Sequence, residues 1–309
     1  MKAGQIMTKT MQFVWLKLGY GLAMTLIAAL GMGLFALIGG LFGSGSGVAI
    51  MICIWLIIFS GIFKLVDNYF GYLIKAGHVA VVAEAVTTGQ VPEKQFEFGK
   101  NKVKERFATS NVYFVVDKLV SGAVRQLKNA VGKVGGLLEN IPGMEKVVDI
   151  LQTFIGIALG YIDECCLGYC FIKTEQNAFQ ASCDGVVIYF QNAKKLLKDA
   201  ALTTILVMIG TFLSWFVPFL LLALLCKAFD WSLMIAVILA LFIGVTIKSA
   251  FIDTYVMVKM MTSYMEVAPS TTISFDLYGK LSKLSSKFKE LFGRAQGGVA
   301  HTAATGTEV

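Results

Sequence analysis

Residues 18–63 read LGYGLAMTLIAALGMGLFALIGGLFGSGSGVAIMICIWLIIFSGIF, with no charged side chain between Lys17 and Lys64. At about 1.5 Å per helical residue, a run of this length crosses a hydrocarbon core roughly 30 Å thick twice. Its middle is Gly43-Ser44-Gly45-Ser46-Gly47, weak helix formers with the backbone freedom a turn needs. The stretch is therefore expected to fold as a helical hairpin, Leu18 to Phe42 and Val48 to Phe63, its second helix running on past Lys64. The apolar stretch outruns a secretory h-region and shows no small-residue cleavage site, so it reads as a retained anchor rather than a cleaved signal peptide.

Two further uncharged runs, Ala200 to Cys226 and Trp231 to Ile247, are separated only by Lys227-Ala228-Phe229-Asp230 and form a second expected hairpin. Ile150 to Ile172 is also apolar but holds Asp163 and Glu164 near its middle. Two carboxylates cost several kcal/mol inside an isolated span, so this segment reads as interfacial, re-entrant or packed inside the protein. Composition agrees with a membrane protein: 56% of residues are hydrophobic and 15% charged, and the mean hydropathy is +0.71. Lys and Arg gather on the cytoplasmic side of short loops. A four-span arrangement alone puts Lys2, Lys9 and Lys17, the lysine-rich middle and the tail with Lys280, Lys283, Lys287, Lys289 and Arg294 on one side. The expected fold is all-α: a polytopic, multi-pass protein of the cell membrane with two transmembrane hairpins, a cytoplasmic helical insertion and both termini cytoplasmic. Its segments are a cytoplasmic N-terminus over 1–17, hairpins over 18–75 and 200–258, the insertion over 76–199 and a basic tail over 259–309. The tail is expected to lose structure from Gly293, where residues turn small and polar.

Within the insertion, Val116, Val120, Val124, Leu127, Val131, Val134 and Leu138 recur every three or four residues. That places them on one face of a helix from Tyr113 to Leu138. Lys118, Arg125, Lys128 and Lys133 mark the opposite face. A basic amphipathic helix below a membrane lies in the interface against anionic lipid or covers the inner ends of the spans. Gly89-Gln90-Val91-Pro92 and Asn140-Ile141-Pro142-Gly143 are the expected helix breaks on either side.

Catalytic chemistry is not visible. Cys165, Cys166 and Cys170 cluster without a nearby histidine and without paired zinc spacing, so they read as small buried hydrophobes. The two histidines, His78 and His301, form no acid–base or metal pattern, and no phosphate loop, nucleophile elbow or HExxH is present. No enzyme activity, cofactor, metal site or nucleic-acid partner is expected. What remains is intramembrane polarity and small-residue seams. Gly39 and Gly43, Ala29 and Gly33, and Gly156 and Gly160 carry the spacing that lets helices approach or self-associate. Pro218, close after Trp215, frees a carbonyl inside the third span. Lys248 and Asp253 lie at the end of the last span. Five residues apart, they fall on different faces of an α-helix, so an ion pair within the helix is not expected.

The stretch Asn177-Ala178-Phe179, Cys183-Asp184-Gly185, Tyr189-Phe190 and Asn192-Ala193-Lys194-Lys195, leading into an apolar span, resembles the segment before the penultimate span of the choline transporter-like family. Phe251-Ile252-Asp253-Thr254-Tyr255-Val256-Met257-Val258 is similar to that family's last-span pattern. The likeness covers roughly Asn177 to Val258, and more loosely extends from Leu18, corresponding to the C-terminal half of the longer family members. Where the family's last span has a serine and then a glutamate, this chain has Asp253 and Val256. No ligand residue carries over beyond the pattern match at Tyr255.

Two functional readings follow. In the first, the chain transports a small organic cation such as choline through an aromatic cage from Trp55, Trp215 and Tyr255, with Asp253 as counter-charge, and a homo-oligomer supplies the missing half. In the second, it is a non-transporting membrane scaffold whose basic amphipathic helix works on the lipid surface.

Overall fold

In a computed structural model, residues 1–42, 45–107, 110–136, 156 and 160–305 are described. Regular structure is helical throughout, and no strand occurs among the described residues. The helices are α1 (Ala3–Lys9), α2 (Met11–Gly40), α3 (Gly45–Val66), α4 (Tyr72–Thr88), α5 (Gln95–Phe107), α6 (Ser110–Gly136), α7 (Ile162–Ile172), α8 (Ala178–Gln191), α9 (Ala193–Ala228), α10 (Leu233–Ile247), α11 (Thr254–Val267), α12 (Phe275–Leu284) and α13 (Ser286–Thr305). Two π-helical turns, Asp67–Gly71 and Lys248–Asp253, join α3 to α4 and α10 to α11. Among the described residues, four continuous stretches are long and apolar enough to cross a membrane: Met11–Gly40, Gly45–Thr88, Thr203–Ala228 and Leu233–Ser270. This is an all-α membrane protein, and the spans fall where the uncharged runs placed them.

The chain divides into two compact units. The span unit comprises Met11–Lys75 and Val207–Thr254. In it α2 packs along α3 and α10. Gly39 makes the first approach possible, because a Cβ there would lie 2.6 Å from Val48 Cα. Gly33 faces open space, so Gly39 rather than Gly33 is the contact glycine. Trp55 fills the seam above Gly31 and donates Nε1–H to the Ala28 carbonyl at 2.9 Å. A polar tip is thereby satisfied inside an apolar bundle. Gly43 and Ser44 of the expected turn lie outside the described residues, while Gly45 to Gly47 already belong to α3.

The helical unit comprises Met1–Thr10, Ala76–Leu206 and Tyr255–Val309. The N-terminal helix and the tail thus belong to one body with the insertion. At its centre, α7 and α8 pack side by side, with Cys165, Cys166, Cys170, Cys183, Val186, Val187 and Ile188 fully buried. Of the three readings left open for 150–172, the helix Ile162–Ile172 is packed inside protein. Arg106 on α5 closes its C-terminus, donating to the carbonyls of Cys170 at 2.6 Å and Lys173 at 3.0 Å. These are last-turn carbonyls without helical partners, where a cation is favoured.

Two expectations are corrected. The apolar face of α6 is covered by protein: Val116, Leu119, Val120, Ala123 and Leu127 are buried, and α13 packs on α6. Burial against protein removes the same apolar surface from water that a bilayer would have taken, and it leaves the described part of that face, Val116 to Leu127, nothing to insert. Lys118, Arg125 and Lys128 remain exposed on the other face; the side chain of Lys133, and Leu138 with the break at 140–143, lie outside the described residues. The tail, expected to be unstructured from Gly293, continues as α13 to Thr305. Phe288, Leu291 and Ala295, spaced by three and four, give that helix a buried face.

Candidate functional site

Lys17, Lys248 and Asp253 gather at one end of the span unit. There α10 passes into the π turn Lys248–Asp253, and Lys248 Nζ lies 2.6 Å from Asp253 Oδ1. An α-helix sets residues i and i+5 well apart around its axis, whereas the wider π turn, with its i→i+5 bonding, brings them to one face. An ion pair within the helix, not expected from the α-helical spacing, is therefore formed through the local backbone. Thr254 Oγ1 shows the same step, donating to the Ser249 carbonyl five residues back at 3.3 Å. Lys17 Nζ from α2 donates to Thr254 Oγ1 at 2.9 Å, and Trp15 sets its ring edge-on to Phe251 at 5.8 Å. Two lysines, one carboxylate and one hydroxyl from two helices thus gather at this end. Side chains of Lys248 and Asp253 are 32% and 33% exposed.

The other π turn has an acid of its own. Asp67 folds its carboxylate over Gly71, where any Cβ would collide with it, and Tyr20 and Lys75 are its neighbours.

The predicted cage is not assembled by the contacts described. Trp55 is engaged by Ala28, Phe35 and Phe59. Trp215 lies on Gly244. Asp253 holds Lys248, and Tyr255 belongs to the helical unit. Beside Trp215, Pro218 lacks the N–H that the Ser214 carbonyl would accept, and Gly244 of α10 backs onto that carbonyl, with a Cβ there falling 2.9 Å from it. Around Pro218 opens a cleft of about 630 Å³, walled by Leu213, Val217, Leu221, Ile243 and Ile252. Its lining is almost wholly apolar, suited to hydrocarbon and not to a charged solute.

In the helical unit, Cys165, Cys166 and Cys170, read as small buried hydrophobes, are buried, whereas Cys53 in the span unit, which its apolar run marked in the same way, is exposed. Burial pushes the Cys165, Cys166 and Cys183 thiols well up, and that of Cys170 to about 11 despite its Ser182 hydrogen-bond partner and Arg106 nearby. Neutral thiols are neither nucleophiles nor metal ligands. Among the described residues, no group of His, Cys, Asp or Glu is placed to hold a metal ion. A polar knot that sequence reading did not single out joins α8 to α12: Asp184, 2% exposed, accepts from Tyr278 and, at 2.8 Å, from Gln180. Burial, and next the Asp184 carboxylate, push the Tyr278 phenol well up. Only the isolated acid of Cys183-Asp184-Gly185 in an apolar helix could have signalled it.

No protein-family model matches this chain, and no curated protein or solved structure matches it either.

Proposed function

We propose that this membrane protein is a transporter of small organic cations, of the choline transporter-like kind, in which the Lys248–Asp253 pair is the substrate's point of entry. The observation that supports this reading is an ion pair held by a π turn at the end of a span. There a quaternary ammonium could take Asp253 from Lys248, exchanging one cation for another without leaving the acid bare in low dielectric. Pro218 inside α9, with the cleft beside it, supplies the break in helical hydrogen bonding that such proteins use. The chain is proposed to catalyse no reaction, to sit in the cell membrane with both termini cytoplasmic, and to have lipids as its standing partners. Uptake of labelled choline into vesicles containing the purified protein tests this. The native protein should show saturable uptake, Asp253→Asn should lose it, and Lys248→Met should lower the apparent KM. Uptake by Asp253→Asn equal to the native level would refute it.

The second reading, a membrane scaffold without transport, is favoured by the almost wholly apolar lining of the cleft and by the separate engagements of Trp55 and Trp215. Under it, the exposed Lys118, Arg125 and Lys128 contact anionic headgroups electrostatically. Absence of uptake under any gradient, together with salt-sensitive binding of the protein to anionic vesicles, would select it.

A further inference from the structure

The order of elements occurs twice. A helix ends at a one-residue break, a long apolar helix follows, then a short loop, a second apolar helix, a π turn, a continuing helix, a proline-containing turn, a short helix and a last helix. In the first passage these are α1 to α6, and in the second α8 to α13, with α7 between them.

The breaks match in detail. Thr10 has φ −101° and ψ 20°, and Asn192 has φ −103° and ψ 12°. The Thr10 amide donates to the carbonyls of Ile6 and Met7, and the Asn192 amide to those of Ile188 and Tyr189, in each case four and three residues back. Each side chain then bonds the same isoleucine carbonyl, Thr10 to Ile6 at 3.0 Å and Asn192 to Ile188 at 2.9 Å. Ile6 and Ile188 are both fully buried.

The helices through the π turns agree too. At one constant separation along the chain, Phe59 is repeated as Phe242, Gly61 as Gly244, Tyr72 as Tyr255 and Ala85 as Ala268. Pro92 and Pro269 follow α4 and α11, and the short helices carry Phe98-Gly99-Lys100 and Tyr278-Gly279-Lys280. Identities this few carry little alone. The shared break geometry and paired π turns, rarities in any helix, carry the relation.

Contacts between equivalents give its symmetry. Where two copies surround a two-fold axis, residues near the axis touch their own counterparts. In the span unit, the rings of Phe59 and Phe242 meet edge to face at 5.7 Å. In the helical unit, α6 packs on its counterpart α13.

We infer that the chain is a tandem repeat whose two hairpins pack about an internal two-fold passing by Phe59 and Phe242. The second copy that sequence reading sought in a homo-oligomer is present within the chain, and each copy brings one acid-bearing π turn, Asp67 or Asp253, to the span unit. This inference is independent of whether the protein transports anything.

Electron–electron distance measurements on spin-labelled full-length protein in nanodiscs test it. In a Cys53→Ser background, whose other cysteines are buried, labels go on exposed positions of the spans. One pair is Leu34→Cys with Val237→Cys; its symmetry mate is Phe216→Cys with Ile54→Cys. The two pairs should give the same peak distance to within about one helical turn, 5.4 Å. Peaks further apart would overturn the two-fold. If a labelled protein does not elute as a single species, Leu30→Cys with Val237→Cys and Phe212→Cys with Ile54→Cys form a replacement set with the same criterion.

Discussion

Tyr278 donates its phenolic hydrogen to Asp184, and with that bond α12 is fixed to α8. Gln180 closes the triangle, its amide 2.8 Å from Asp184 Oδ1 and 3.1 Å from the Tyr278 oxygen. The segment following the last span is therefore anchored through a buried carboxylate and does not hang as a loose tail.

Removing one donor from a buried acceptor costs roughly 1 to 3 kcal/mol, and more when the acceptor is charged. Tyr278→Phe keeps the ring between Phe288 and Phe292 but takes the donor away. Its thermal midpoint in detergent should fall by several degrees, with trypsin cutting first after Lys280 or Lys283. An unchanged midpoint would mean that Gln180 alone satisfies Asp184.

Gly39 has the Val48 backbone across from it, which cannot move aside as a side chain would. Gly39→Leu should destabilise the first hairpin by about 1 to 3 kcal/mol, the usual cost of overpacking. Gly33→Leu, facing open space, should be neutral. Thermal scans of the two variants side by side give the comparison.

The buried thiols set a pH dependence. Because the folded-state pKa of Cys170 is raised to about 11, the unfolded chain releases this proton from about pH 8.5 onward while the folded chain keeps it. This contribution to stability is whole below pH 8.5 and is lost as pH rises toward 11. Unfolding midpoints measured from pH 7 to 10.5 should decline, and Cys170→Ala should flatten part of that decline. At pH 8, N-ethylmaleimide should leave Cys165, Cys166, Cys170 and Cys183 unmodified until detergent denatures the protein, as peptide mass spectrometry would read.

Charge bias places the basic segments on one side of the membrane. Ala228→Cys, at the end of α9 beside the loop into α10, should then react with an impermeant maleimide applied to intact cells, while Lys128→Cys and Lys287→Cys should not. Labelling at Lys287→Cys from outside would reverse the assigned topology.

The sequence by itself determined the four spans and the all-helical class, because an uncharged run long enough to cross a bilayer has few other solutions: every backbone amide must bond within its own segment. It also located the amphipathic α6, through a period that any helix must obey. What covers the apolar face of α6 was undecided, since a bilayer and a second helix look alike to Val120 and Leu127, and only the packing of α13 chose between them. Position in sequence likewise set Lys248 and Asp253 on different faces under the α-helical period, and a single π turn, which no residue type announces, moved them together. Local rules fix what the nearest few residues can do, and so they were legible. The pairing of charges, the docking of the tail and the matching of the two halves depend on residues brought together from afar, and only the tertiary structure decided them.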